Sequence, residues 1–231
     1  MPAYNEAAML TQSLHEIVDG LRARGVEHEV LVVENGSTDD TRAVAEQLAH
    51  DLSEVRVLTL GASDYGEALR SGILAARAPA IVTFDADYYD LAFLDRACAR
   101  LAAAPAPAIV VGSKRAPGTV DDRSWMRRAI TAAFVGALRV GFALSVSDTH
   151  GMKALDRDAV TPLARRCRNG RDLFDTELVL RAGRAGLLVA ELPVTVVERR
   201  PSRTPITRRA LRTAWGLVRL RVQLWRERSA P

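Results

Sequence analysis

Cysteine is scarce in this chain: its 231 residues include two, Cys98 and Cys167. They stand far apart in unrelated surroundings, so they make neither a disulfide framework nor a metal cluster, and a reducing cytoplasm is the expected setting. Long apolar runs are missing as well. The best candidate, within residues 123–146, is interrupted by Arg139 and reads as a core or interfacial helix pair rather than a bilayer span. The opening residues Met1-Pro2-Ala3-Tyr4-Asn5-Glu6 lack the apolar stretch of a secretion signal. Internal repeats and low-complexity linkers are absent too, which argues against repeat arrays.

What remains is a globular composition, 48% hydrophobic and 26% charged, enough for one sizeable core with an appendage. The net charge of +4 conceals an asymmetry. Residues 199–231 set ten arginines against Glu227, a balance of +9 that leaves −5 on residues 1–198. An acidic body with a basic tail directs the tail alone at an anionic surface, lipid or nucleic acid. Nucleic acid is disfavoured, because no recognition fold accompanies the arginines.

The first half alternates strand-like runs (28–34, 55–60, 80–84, 108–111) with helical stretches (6–24, 39–51, 65–76, 90–103). That alternation predicts an α/β fold, a mostly parallel Rossmann-like sheet flanked by helices with right-handed crossovers. Ligands of such sheets sit at the carboxyl ends of the strands. Asn5-Glu6, Glu34-Asn35-Gly36-Ser37 and Asp85-Ala86-Asp87 all fall there. Met1-Pro2-Ala3 reads as the end of a strand whose earlier residues are missing, as expected of a start placed too far downstream or of a truncated chain. Further on, 174–183 reads as a helix, 187–197 as a strand and 205–228 as a long terminal helix. The expected division is a catalytic domain over 1–204 and a basic amphipathic helix over 205–231.

Asp85-Ala86-Asp87 is the most informative feature. Two carboxylates at i and i+2 after a strand point to one side of its end. There they can hold Mg²⁺ or Mn²⁺ that also grips phosphate oxygens, since such ions take one or two carboxylates plus substrate phosphates. On the terminal helix, Leu211, Trp215, Val218, Val222 and Trp225 recur on one face and Arg212, Arg219 and Arg226 on another. A basic amphipathic helix with tryptophans fits a membrane interface. Packing on the body and the seam of a homodimer are the alternatives for that face.

Several segments together resemble the family-2 glycosyltransferases of the GT-A fold. Pro2-Ala3-Tyr4-Asn5-Glu6 is similar to the family's opening nucleotide-binding turn, Glu34-Asn35-Gly36-Ser37-Thr38-Asp39 to its Asp-Asp-Gly-Ser-Thr-Asp motif, and Asp85-Ala86-Asp87 to its metal motif. Gly112-Ser113-Lys114-Arg115, Asp148-Thr149-His150-Gly151-Met152-Lys153 and Phe174-Asp175-Thr176-Glu177-Leu178 narrow the likeness to the polyprenyl-phosphate mannose and glucose synthases. The resemblance runs from Pro2 to about Arg203. It implies inverting transfer of a hexose from a nucleotide diphosphate sugar to a polyprenyl phosphate, by a protein peripheral on the inner face of the plasma membrane.

Residue by residue, the resemblance puts Pro2, Tyr4, Asn5, Glu6, Gly36, Ser37 and Arg70 at the donor, with Glu34 or Asn35 reading ribose or base. Asp87 binds the metal, and Asp85 reaches the ribose or the metal. Asp148 and Asp175 join Asp87 as candidate catalytic groups, either being a base if the acceptor is a hydroxyl. A lipid monophosphate needs no base, because with a second pKa of about 6 it is largely anionic at neutral pH. It needs cations to hold it, and Lys114, Arg115, Arg127, Arg128 and Lys153 are the candidates. His150 reads as a packing or hydrogen-bonding residue. Three departures mark this chain: Tyr89 where the family often has Gln, Asn35 for a second Asp, and Ser63-Asp64-Tyr65-Gly66-Glu67 in place of a Gly-Lys-Gly segment. A soluble transferase with a hydroxyl acceptor, and a catalytically weak membrane-docked interaction protein, are the competing readings.

Overall fold

The computed structural model describes residues 1–113, 120–121, 132, 136, 141–142, 149, 151–171, 173–196 and 206–227. Lys114, Arg115, Arg127, Arg128, Asp148 and His150 therefore lie outside the described residues, as does most of the helix-like stretch at 123–146.

Two sheets organise the described residues. β1 (Pro2–Ala3), β2 (Val30–Asn35) and β3 (Val55–Leu60) form a parallel sheet in that order. The run Val-Leu-Val-Val in β2 is apolar on successive residues because both faces are covered, as parallel strands require. β4 (Ala80–Thr83), β5 (Ile109–Ser113), β7 (Lys153–Asp156) and β8 (Val189–Pro193) form a second sheet, ordered β4-β7-β5-β8. β7 runs antiparallel to both its neighbours, whereas β5 and β8 are parallel. A short parallel pair joins β6 (Val120–Asp121) to β9 (Thr195–Val196).

Seven helices cover these strands among the described residues: α1 (Ala7–Ala23), α2 (Thr41–Asp51), α3 (Tyr65–Ala75), α4 (Leu91–Ala102), α5 (Arg157–Arg166), α6 (Phe174–Arg184) and α7 (Ile206–Arg226). α1 shows the cause plainly. Its buried Leu10, Leu14, Ile17, Val18 and Leu21 recur at three- and four-residue spacing and form one stripe against the first core. A second core gathers Ile109 and Leu155 from the second sheet with Leu69, Leu163, Leu178, Leu220 and Leu224. The last two belong to α7, so the terminal helix is seated on the body through one side. No described helix is long and apolar enough to cross a membrane.

The strand at 153–156 and the helix after it have no counterpart in the sequence reading. A buried lysine opens the strand, and Pro162 with several arginines breaks the apolar pattern of the helix. The strand expected over 187–197 divides at buried Val194 into β8 and β9.

Beside β1, between β2 and β4, lies a groove of about 100 Å³ lined by Leu31, Val33, Ile73, Ile81 and Val82. The Met1 amine donates to the Leu31 carbonyl at 2.8 Å, and burial pulls its pKa down to about 6, with Asp85 opposing. An amine depressed in the folded state favours unfolding wherever only the unfolded chain binds the proton. Stability is therefore expected to rise between pH 6 and 8, by about 2–3 kcal/mol for a shift of that size. Acetylating the Met1 amine removes the group that titrates. That modification should flatten the profile between pH 6 and 8; an unchanged profile would show that the amine is not the group responsible.

Candidate active site

The opening turn and the end of β2 are laced together. Asn5 takes a left-handed backbone, φ 55°, and donates its N–H to Ser37 Oγ at 3.1 Å. Its side-chain oxygen accepts from Thr38 N at 2.8 Å, and Glu6 N donates to Thr41 Oγ1 at 2.7 Å. Gly36 is required on two counts: its φ is +67°, and a Cβ would stand 3.0 Å from the Ala62 backbone. Glu34 and Asn35 are both only 2% exposed. Glu34 accepts from Ser37 N at 2.6 Å, and Asn35 Oδ1 accepts from Asp64 N at 2.8 Å. Both therefore shape the turn from within, while Tyr4, exposed, and Ser37 border it from outside. Pro2 is buried in β1. Arg70 turns to the Ala164 carbonyl and to Glu67, on the α5 side of α3.

Asp85-Ala86-Asp87 occupies a tight turn just beyond β4. Asp85 and Tyr88 exchange both backbone hydrogen bonds, at 3.1 and 3.2 Å. Ala86 faces inward and is buried, and its carbonyl accepts from Ser13 Oγ of α1 at 2.6 Å. The small middle residue anchors the turn, and the two acids flank it. Tyr89 points away to Glu16 of α1, to which its hydroxyl donates, and packs near Phe84.

Asp175 reaches the same place from the first turn of α6. Its Oδ1 lies 2.8 Å from Lys153 Nζ, which also donates to the Gly151 carbonyl at 2.9 Å. Lys153 is 1% exposed, so its charge is met inside the protein rather than held out to solvent. Burial pushes the Asp85 carboxyl up; a hydrogen bond from Tyr65 opposes this, and the charges of Asp87 and Asp175 add to it. Three carboxylates thus feel one another at one end of β4. Among the described residues no three acidic, histidine or cysteine side chains could enclose an ion by themselves. Two carboxylates with the remaining positions left to phosphate oxygens is the donor set that Mg²⁺ or Mn²⁺ accepts, so the residues present fit such an ion.

Glu177 plays a different part. It is fully buried and accepts from the backbone N–H groups of Arg168 and Asn169, the Asn169 amide, Arg181 and Gln223. It fixes the 168–171 turn and ties it to α7. Of these partners only Arg181 is local, at i+4; the others stand 8 to 46 positions away, where no local pattern reveals them. Cys167 beside it is inert, because burial first and Glu177 second push its thiol up to about 12.

A glycosyl transferase family 2 model matches residues 1–162 of the chain. The chain belongs to that family. It is 31% identical to glycosyltransferase AglD of Haloferax volcanii over 94% of its own length, although it spans only 37% of that protein. It is 28% identical to a dolichyl-phosphate beta-glucosyltransferase of Trichomonas vaginalis, over 98% of this chain and 71% of that one. Among solved structures it is similar to glucosyl-3-phosphoglycerate synthase from Mycobacterium tuberculosis in complex with Mn²⁺, uridine-diphosphate and phosphoglyceric acid. That match has a TM-score of 0.69 and 21% identity, and covers 95% of this chain and 76% of the other. The expected family and GT-A-type α/β fold are thereby borne out.

Proposed function

We propose that the chain transfers a hexose, with inversion, from a nucleotide diphosphate sugar to a polyprenyl phosphate. The observation that carries this reading is the meeting of Asp85, Asp87, Asp175 and Lys153 at one end of β4. It occurs in a chain matched over 98% of its length by a dolichyl-phosphate beta-glucosyltransferase. Tyr4, Asn5, Glu6 and Ser37 border the donor, with Glu34, Asn35 and Gly36 shaping the turn that receives it. Asp87 and Asp85 hold Mg²⁺ or Mn²⁺, which supplies charge neutralisation at the departing diphosphate. An oxygen of the acceptor phosphate forms the new bond to the anomeric carbon as the bond to the diphosphate breaks. No proton has to move, so no free base is needed. Asp175, one oxygen of which is occupied by Lys153, suits orientation at this centre better than proton abstraction. Lys114, Arg115, Arg127 and Asp148 are proposed for the acceptor side from sequence alone.

The proposal places the protein peripherally on the inner face of the plasma membrane. Trp215, Val218, Val222 and Trp225 of α7 are 68%, 57%, 42% and 64% exposed, with Arg219 and Arg226 exposed among them. An apolar patch edged with arginines suits an anionic lipid surface, where each basic residue contributes about 1 kcal/mol. Replacing both tryptophans by serine is expected to abolish co-sedimentation with anionic vesicles and leave the melting temperature unchanged. If the double variant instead converts a dimer to a monomer, that face is a subunit seam.

The deciding assay incubates the chain with Mn²⁺, a short water-soluble polyprenyl phosphate and UDP-, GDP- or dTDP-sugars in turn. Sugar is expected to appear on the phosphate. Transfer to a simple alcohol with none to the phosphate would favour the hydroxyl-acceptor reading. Binding to vesicles without turnover of any donor would favour the interaction-protein reading.

A further inference from the structure

α3 begins Asp64-Tyr65-Gly66, where the family pattern leads one to expect a lysine between glycines. The structure shows what this start is built to do. Asp64 is anchored to the end of β2, its N–H donating to Asn35 Oδ1 at 2.8 Å. Its carboxylate caps α3 through Glu67 N at 3.0 Å and accepts from Arg171 N at 2.6 Å. Gly66 lets the 170–171 turn lie directly on the helix, since a Cβ there would stand 2.6 Å from the backbone of both turn residues. Arg171 takes a left-handed φ of 45° in meeting Asp64. Tyr65 is consequently fixed between the donor-side strand end, the 170–171 turn and its own helix. From there its hydroxyl donates to Asp85 Oδ1 at 2.8 Å. The residue is 39% exposed, so filling the core does not explain that reach.

We propose that Tyr65 is the positioning residue of the carboxylate pair. By holding Oδ1 of Asp85, it fixes the side chain and leaves the other oxygen for the cation. The neutral phenol replaces a charge that would have met phosphate directly with a hydrogen bond that orients a metal ligand. This rests on the reading of Asp85 and Asp87 as metal ligands. Hydrogen-bond partners of such ligands orient them, and their loss weakens metal binding about ten- to hundred-fold.

The test is Mn²⁺ uptake by the full chain in saturating UDP, or GDP where UDP promotes none, followed by the electron paramagnetic resonance of free Mn²⁺. Tyr65→Phe is expected to weaken uptake about ten- to hundred-fold with an unchanged melting temperature. In an Asp85→Asn background the same substitution should add little, because the partner is already gone. Unchanged uptake by Tyr65→Phe, or a loss that adds in full to that of Asp85→Asn, overturns the proposal. A second measurement does not depend on the Phe variant. Adding Mn²⁺ and nucleotide to the unaltered chain should perturb a tyrosine's near-ultraviolet absorbance, and that signal should be missing from Asp85→Asn; its persistence there overturns the proposal as well. Failure of the underlying reading looks different: the unaltered chain would then take up no Mn²⁺ with either nucleotide, and the proposal would fall with it. Uptake lost in Asp87→Asn but retained in Tyr65→Phe sinks the proposal alone.

Discussion

Asp87→Asn should abolish metal-dependent sugar transfer while leaving the fold intact. The turn that carries Asp87 is held by groups the substitution does not touch: the paired backbone bonds of Asp85 and Tyr88, and the Ser13 hydroxyl on the Ala86 carbonyl. Asparagine keeps the shape of the side chain and removes the charge that a divalent ion needs. Assistance to a leaving diphosphate is worth several kcal/mol, so the expected loss is at least about a hundred-fold in kcat. The melting temperature should hold or rise, because one of three mutually repelling carboxylates is gone. A variant that keeps more than about a tenth of the activity removes Asp87 from this role.

The repulsion within that cluster was only half legible in the sequence. Asp85-Ala86-Asp87 announces itself, because the spacing and the preceding apolar run are both local. Gly36 and Ser37 were legible for the same reason, and the strand ends that carry them fall where alternation put them. Lys153 was read as a cation for phosphate, yet it closes an ion pair with Asp175 across 22 residues in a place with almost no solvent. Nothing local to Lys153 could say so, since the pairing exists only once β7 inserts antiparallel between β4 and β5. Tyr65 was noticed as an absence of lysine, and its bond to Asp85 is likewise a product of tertiary placement. Arg70, expected at the donor, is drawn instead to the Ala164 carbonyl of α5, a helix that the sequence pattern concealed behind Pro162.

The same distinction governs the terminal helix, where the second large effect is expected. Spacing singled out Trp215, Val218, Val222 and Trp225 as one face, and these are the residues left exposed. The opposite side is embedded: Leu220 and Leu224 are 0% and 1% exposed within the second core, and a Cβ on Gly216 would collide with Leu173. Gln223 donates to Glu177, and Glu227 takes both terminal nitrogens of Arg181 at 2.8 and 2.9 Å. Leu224→Ala or Leu220→Ala should therefore each cost about 2–5 kcal/mol, measured by urea unfolding. Ending the chain before Pro205 should do more, because it uncovers the second core and also removes Glu227 from Arg181 and Gln223 from Glu177. The truncated chain is expected to lose its cooperative unfolding transition. Should it melt at the temperature of the full chain and still turn over a soluble acceptor, α7 serves only to bring the body to the membrane, and the packing of Leu220 and Leu224 contributes nothing to the catalytic fold.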